Sequence, residues 1–336
     1  MGCWFVKIPN KHMAMRKGLV VALLLCMLTP QEAYSWGFWA HRRINRVAVF
    51  ALPAEMYNFY RRHINYLTEH AVDPDRRRFG DPAEAPRHYI DIDHYGVYPF
   101  ENVPRNWDSA VAKLSEDTLL EYGIVPWRVE EMYFKLRYAF EERNEPLILR
   151  YSADIGHYIA DAHVPLHTTV NYNGKQTGQA GIHAFWESRL PELYGETYDY
   201  FVPQAKYKPH VLTTAWEAVL SSHLAVDSVL RFERDLTRRF PEDQKYSYEQ
   251  RGVATRRQYS RAYSKAYHQR LDGMVERRLR QAIHTVASVW YTAWIDAGQP
   301  DLQGLQEVEV DPKKLEKLRL MEQQYRTGSW KGRPDL

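Results

Sequence analysis

The sequence has little cysteine, with only Cys3 and Cys26 among 336 residues. Both lie within the first 35 residues, so residues 36–336 contain none. This excludes a disulfide framework, a thiolate metal site and a cysteine nucleophile from the larger part of the chain. Its stability must therefore come from a hydrophobic core, and its length is sufficient for one.

The first residues resemble a secretory leader. Four basic residues begin it: Lys7, Lys11, Arg16 and Lys17. An apolar run follows at 19–28, too short to span a bilayer comfortably, and the small-x-small residues 33–35 precede Trp36. This pattern is typical of a cleavable signal peptide. We expect cleavage between Ser35 and Trp36 and a secreted or periplasmic protein; an uncleaved N-terminal anchor is the alternative.

An excess of one charge is also absent. The whole chain has 45 Lys and Arg against 42 Asp and Glu. The leader contains four of the basic residues and one of the acidic ones, so the remainder is formally neutral. Overall charge therefore gives no reason to expect a polyanion-binding protein, although a local basic patch remains open.

Helical periodicity dominates the chain, which shows no internal repeat or low-complexity tract. Helices are predicted from about His41, over 107–143 with a break at Pro126, over 145–162, over 213–239 and over 254–296. A short strand is predicted at 88–95, and 171–181 reads as a surface loop. We expect an all-α, monomeric protein with one domain at 36–300, a leader at 1–35 and a polar helix or tail at 301–336.

The densest signal is a block in which His157 and Asp161 are four residues apart. On a helix, that spacing places an imidazole and a carboxylate on one face. Pro165 ends the helix and can return His167 to the same point. His183 and Glu187 repeat the spacing. Nitrogen and oxygen donors in this pattern indicate a divalent metal, zinc above all.

Chance placement of these ionisable groups on buried faces is the alternative to a metal site. It is disfavoured because an unpaired buried charge costs several kcal/mol. Three further features extend the candidate set. Trp36 would gain a free α-amino group on cleavage and could chelate a metal with its own carbonyl, His41 follows it, and His88 lies downstream of Asp73 and Asp75.

These residues resemble the superfamily that joins bacterial zinc-dependent phospholipases C with secreted single-strand-specific zinc nucleases. Members begin with a zinc-binding Trp after signal cleavage, and carry His-x3-Asp-x5-His with Pro-Leu before the last His, followed by His-x3-carboxylate. The matching positions are Trp36, His157, Asp161, His167, His183 and Glu187. The similarity covers about the first half of the chain after the leader.

The resemblance implies an all-α fold, three zinc ions and phosphodiester hydrolysis by a metal-activated water. Asp161 would bridge two ions, with His157 on one side and His167, His183 and Glu187 around the others. Trp36, His41 and His88 would complete the third site with an upstream aspartate. Asp75 follows a proline as in some phospholipase relatives, whereas Asp73 has the nuclease spacing. We favour Asp75 as the ligand that also orients or deprotonates the water, with Asp73 as the alternative for both roles.

Other polar residues near the motifs receive supporting roles. His163 is predicted to face away from the cluster, and Asp91, Asp93 and His94 are predicted to hydrogen-bond its ligands from outside. Four aromatic residues could form a wall that packs on acyl chains or stacks on bases: Tyr172, Tyr198, Tyr200 and Phe201.

The subgroup signals disagree about the substrate. Glu187, the lack of disulfides and the neutral charge favour a phospholipase C that acts on phospholipid headgroups at a membrane surface. The short spacing from Trp36 to His41 favours an endonuclease that cleaves single-stranded DNA or RNA. A third reading is a non-enzymatic secreted protein in which zinc only stabilises the helical fold.

Overall fold

A computed structural model describes residues 37–78, 80–251 and 254–305. Within these ranges the chain is mostly helical, which confirms the predicted all-α class, and its strands form a two-stranded antiparallel sheet. The first eight helices are α1 Phe38–Ala48, α2 Ala54–Arg62, α3 Ile64–Glu69, α4 Asp73–Arg77, α5 Trp107–Leu114, α6 Glu116–Tyr122, α7 Val125–Glu141 and α8 Glu145–Ala162. Five follow: α9 (182–194), α10 Val211–His223, α11 Val226–Thr237, α12 Arg261–Arg270 and α13 Met274–Asp296.

The strands are β1 Tyr246–Arg251 and β2 Ala254–Tyr259, with Tyr246 opposite Tyr259. Short 3₁₀ turns join many of the helices. Those that matter for the candidate site are His70–Val72, Ala85–His88, Ile92–Tyr95 and Pro165–Thr168.

Helix α8 is the centre of the fold. The Asn144 side chain caps its start by accepting a hydrogen bond from the Leu147 amide at 3.1 Å. The helix ends at Ala162, three residues before Pro165. Every residue from 152 to 169 is buried. Polar side chains in this stretch are therefore held away from water and need partners inside the protein.

Helix α13 closes the core over α1, α7 and α8. Its Trp290 ring stacks on Tyr60 with centroids 4.9 Å apart and donates from Nε1 to the Ser152 carbonyl at 3.0 Å. The strongly apolar pattern of this helix is thus explained by packing against α8. The second half of the chain fixes the helix on which the candidate ligands lie.

Two of the predicted long helices are wrong. Residues 213–239 are interrupted between α10 and α11, and residues 254–296 contain a strand and two helices. Ala254–Tyr259 pairs with Tyr246–Arg251, so its backbone is extended. Between α12 and α13, Asp272 and Gly273 have φ of 45° and 69°, and this left-handed backbone cannot continue a helix. The range 107–143, predicted as one or two helices with a break at Pro126, is three helices, and Pro126 lies in the first turn of the last.

The predicted strand at 88–95 is also wrong, because no strand in the described part of the chain lies beside it. Its amides bond to helical segments instead: Ile90 to the His167 carbonyl at 2.9 Å and Asp91 to the Tyr122 carbonyl at 2.7 Å. The two ends of the stretch form 3₁₀ turns. The loop at 171–181 is confirmed as turns with one 3₁₀ segment. Its Gln179 side chain is nevertheless buried, and the Nε2 atom donates to Glu233 Oε2 at 2.5 Å.

Trp36, the leader and residues 306–336 lie outside the described residues, so the predicted cleavage point, domain boundaries and C-terminal helix stay predictions. No helix within the described ranges has the length and apolarity that crossing a bilayer requires.

Helices α1 and α8 approach closely at Gly156. A Cβ there would lie 2.1 Å from Asn45 Oδ1. Asn45 is buried, and its Nδ2 donates to the carbonyls of Ala153 at 3.1 Å and Leu67 at 3.4 Å. Its side chain therefore has little freedom to move aside.

We predict that Gly156→Ala lowers the free energy of unfolding by about 1–3 kcal/mol, because the overpacking outweighs the better helix propensity of alanine. Urea unfolding measures this change. The cost should be smaller when Asn45 is already alanine, since that truncation removes the clash. An equally stable or more stable Gly156→Ala protein contradicts the close contact.

Candidate metal centre

Two ligand candidates come from adjacent turns of α8. His157 and Asp161 are fully buried, and His157 Nε2 lies 3.2 Å from Asp161 Oδ2. The i,i+4 spacing places both side chains on one face of the helix. The 3₁₀ turn that begins at Pro165 then returns the chain, so that His167 reaches the same carboxylate.

The Asp161 carboxylate lies at the junction of the cluster. Its Oδ2 is 2.9 Å from His88 Nδ1, in addition to the contact with His157. Its Oδ1 is 3.5 Å from His41 Nε2 and 3.6 Å from His167 Nδ1. One carboxylate therefore contacts four imidazoles, two through each oxygen. A carboxylate in this position can be shared between cations.

Backbone carbonyls orient two of the imidazoles. The Nδ1 of His157 donates to the Ala71 carbonyl at 2.8 Å, and the Nδ1 of His167 donates to the His88 carbonyl at 2.7 Å. Since a carbonyl oxygen only accepts, each Nδ1 carries a proton, and each Nε2 is the nitrogen that can bind a cation once it is not itself protonated. Metal-binding histidines usually have this arrangement, in which the second ring nitrogen bonds to a carbonyl or carboxylate.

The structure distinguishes between the two upstream aspartates. Asp75 is buried, and its Oδ1 lies 3.6 Å from His157 Nε2 and 3.7 Å from His88 Nδ1. Asp73 lies near the surface and accepts hydrogen bonds from His70 at 2.6 Å and Arg76 at 3.0 Å. The hydrogen bond to Asp73 raises the pKa of His70. Asp75 therefore belongs to the cluster, whereas Asp73 belongs to a surface ion pair.

A second group of donors lies on α9 and the 3₁₀ turn at His167. Glu187 Oε2 is 3.0 Å from His183 Nε2 and 3.2 Å from His167 Nε2. All three side chains are buried. Glu187 lies in a π-helical segment of α9, Phe185–Arg189. Such segments are rare in helices and are often found at functional sites.

Among the described residues, three sets of donor atoms could hold a cation, since the atoms of each set lie within 4.8 Å of one another, and His157 belongs to two of the sets. The sets are His41 with His157 and Asp161, Asp75 with His88 and His157, and His167 with His183 and Glu187. The side chains present thus suit a divalent metal held by imidazole and carboxylate.

This grouping differs in one detail from the arrangement that the resemblance implies. His88 and an upstream aspartate were expected to join Trp36 and His41 in one site. Instead, His88 and Asp75 converge on His157, because the Ala85–His88 turn places the His88 ring edge-on to His157 at 4.9 Å. His41 lies on the other side of His157, stacked with ring centroids 3.8 Å apart. The predicted ligand Trp36 lies outside the described residues.

The charges of the cluster are strongly coupled. Burial raises the pKa of Asp161, but the neighbouring imidazoles of His157 and His167 hold it well below its usual value. Burial lowers the pKa of His157, yet the carboxylates of Asp161 and Asp75 raise it to about 9. Without metal, the carboxylates therefore favour a proton on His157. A metal ion would have to replace that proton, so binding is expected to release it.

Glu84 is a site residue that the sequence analysis missed. It is buried, and its Oε1 lies 3.7 Å from His88 Nε2, the ring nitrogen that points away from Asp161. The Tyr158 hydroxyl donates to the same carboxylate, and Arg87 Nη1 donates to Oε2 at 2.6 Å. Glu84 and His88 are four residues apart, as in the two recognised pairs, so the spacing could have revealed it.

Arg78 is a second missed residue. It is buried one turn after Asp75, with its Nη1 3.6 Å from Asp75 Oδ1. A buried guanidinium beside a cluster of metal-ligand candidates can bind the oxygens of an anionic ligand.

The supporting residues fall mainly outside the cluster. His163 donates from Nδ1 to the Ile159 carbonyl at 2.8 Å, and burial lowers its pKa to about 4, so its ring is neutral. Asp93 accepts hydrogen bonds from the Thr169 hydroxyl at 2.6 Å and the Val170 amide at 3.0 Å, which holds the segment after His167. The His94 ring stacks on Tyr122 at 3.3 Å.

The predicted aromatic wall is not continuous. The Tyr172 ring lies 5.9 Å from the His183 ring and so borders the candidate site. Tyr198 bonds to His268, and Tyr200 bonds to the Gly195 carbonyl. Phe201 is 78% exposed.

Comparison of the chain with protein-family models and with curated proteins finds no match. The resemblance noted in the sequence therefore stays a prediction.

We predict that Asp75→Asn lowers the amount or affinity of bound metal, because it removes an anionic donor from the set with His88 and His157. Asp73→Asn is the matched control and should bind metal as the unaltered protein does. Metal content per chain, measured by atomic emission after exhaustive dialysis, tests this. Equal metal loss in the two variants contradicts the assignment of Asp75.

We predict that Glu84→Gln weakens metal binding about 10–100-fold, as is typical when an outer partner of a metal-binding histidine is changed. Glu131→Gln is the control, since Glu131 is half-exposed and pairs with Arg128 and Lys135. Competition with a chromogenic chelator measures the affinity, and circular dichroism checks folding. Unchanged affinity in a folded Glu84→Gln protein shows that Glu84 does not position His88.

Proposed function

We propose that this chain is a zinc-dependent phosphodiester hydrolase of the phospholipase C and single-strand nuclease type, acting on phospholipids. The observation that supports the proposal most strongly is the buried Asp161 carboxylate with its four imidazole contacts. Burial of so many ionisable groups is costly unless a cation compensates them. Imidazole and carboxylate donors without a thiolate suit zinc. Three donor sets among the described residues could hold a metal ion, and two of them share His157.

Zinc bound at these residues would polarise the phosphate and lower the pKa of a water molecule, the two things that a resistant anionic diester requires. The protein's own groups would do the rest. Asp75 is held between His88 and His157 and can orient a water or accept its proton. The buried guanidinium of Arg78, beside Asp75, can bind a phosphate oxygen and offset negative charge.

A phospholipid substrate is favoured by Glu187 in the last ligand pair, the position at which the nucleases usually have aspartate. Residues 36–336 also lack cysteines and have no net positive charge. The nuclease alternative rests on the short Trp36-to-His41 spacing and on Tyr172, whose ring borders His183 and could stack on a base. A purely structural zinc site is the remaining alternative, and it requires closed coordination without a bound water.

The zinc-loaded protein should release the phosphorylated headgroup from phosphatidylcholine vesicles and leave single-stranded DNA intact. Asp75→Asn should reduce this hydrolysis at least about 100-fold, within the range for loss of a positioned acid–base group. Asp73→Asn should retain activity. Headgroup release and gel analysis of the DNA measure both reactions.

Cleavage of DNA alone assigns the chain to the nuclease alternative. A fully metal-loaded, folded protein that hydrolyses neither substrate supports the structural alternative and contradicts the proposed enzyme.

A further inference from the structure

A polar cavity of about 160 Å³ lies between the α4 region, α7 and α8, and no metal-ligand candidate is among the residues that line it. Five cationic side chains line it: Arg77, Arg87, Arg128, Lys135 and Arg150. Three carboxylates line it as well: Asp81, Glu84 and Asp154. The sequence analysis assigned no role to these cations. We call this space the oxyanion cavity.

Two arginines already satisfy the three carboxylates. Arg77 donates to both oxygens of Asp154 at 3.1 and 3.0 Å. Arg87 donates to Glu84 at 2.6 Å and lies 3.5 Å from Asp81. On this side of the cavity, the positive and negative charges are therefore paired with each other.

The other three cations are not balanced in this way. Arg128 and Lys135 share Glu131, at 2.7 and 2.5 Å, and that carboxylate is half-exposed. Arg150 is half-buried and forms no ion pair with any side chain in the described ranges. This side of the oxyanion cavity therefore has more positive than negative charge, with Arg128 itself only 7% exposed. Three cations with one half-exposed carboxylate among them are incompletely neutralised, so this side of the cavity favours an anion.

The volume and the donor chemistry define which anion would fit. The cavity is roughly ten times larger than the space that one water requires. It is too small to enclose a peptide or a nucleotide chain. Guanidinium groups present forked donors that match tetrahedral oxyanions, and an ammonium adds a compact charge.

We propose that the oxyanion cavity is a binding site for inorganic phosphate, held by Arg128, Lys135 and Arg150. This binding does not depend on the proposed hydrolase activity. It is separate from the candidate metal centre, because none of these three side chains contacts a metal-ligand candidate among the described residues. The two sites approach each other through Glu84, which lines the cavity and faces His88.

The test is calorimetric titration of the metal-loaded full chain with inorganic phosphate at constant ionic strength, since surface charge effects are screened by salt. Because a metal-loaded centre can also bind phosphate, the phosphate binding of each variant is compared with that of the unaltered protein. The double variant Lys135→Ala/Arg150→Ala should lose one phosphate site, or bind it at least tenfold more weakly. Arg137→Ala is the matched control on α7, because Arg137 pairs with Glu141 and does not line the cavity.

Parallel titrations with phosphocholine and with chloride test which anion the oxyanion cavity prefers. The proposal requires that the site lost in the double variant prefers inorganic phosphate to both. Preference for phosphocholine, or equal binding of chloride, overturns it. Identical phosphate binding by the double variant and the unaltered protein also overturns it. Lys135→Ala alone, at a side chain 43% exposed, gives a second folded variant in which weakened binding is expected.

Discussion

The contact between the Asp161 carboxylate and four imidazoles is the interaction on which the rest of the structure depends. A fully buried carboxylate costs several kcal/mol unless groups of opposite charge or hydrogen-bond donors surround it. Its partners come from α1, the Ala85–His88 turn, α8 and the Pro165–Thr168 turn. These four elements must therefore lie close together in the folded chain.

Hydrogen bonds and packing from outside the cluster fix the positions of its imidazoles. The carbonyls of Ala71 and His88 fix the rings of His157 and His167 by accepting from their Nδ1 atoms. Glu84 faces the outer nitrogen of His88. Helix α13 packs Trp290 against α8 and holds the ligand helix in the core. The second half of the chain, in which no site motif was found, thus contributes the rigidity that an ordered metal centre needs.

Much of the fold class and several site residues could be predicted from the sequence, because helix geometry links residues four apart. That rule placed His157 with Asp161 and His183 with Glu187. It could not choose between Asp73 and Asp75, which share one helical turn and differ only in what the turn packs against. The strand predicted at 88–95 failed because alternation alone does not supply a pairing partner. The strand pair Tyr246–Arg251 and Ala254–Tyr259 was missed because its polar residues gave no clear alternating pattern.

The most direct test of the central claim is anomalous diffraction at the zinc absorption edge, from crystals of the metal-loaded chain beginning at Trp36. The account predicts zinc peaks within bonding distance of Asp161, His157 and Glu187, with Asp161 shared between two of them. It also predicts coordination by Asp75 and none by Asp73. Zinc found only at surface histidines, or a cluster that leaves Asp161 uncoordinated, would contradict it.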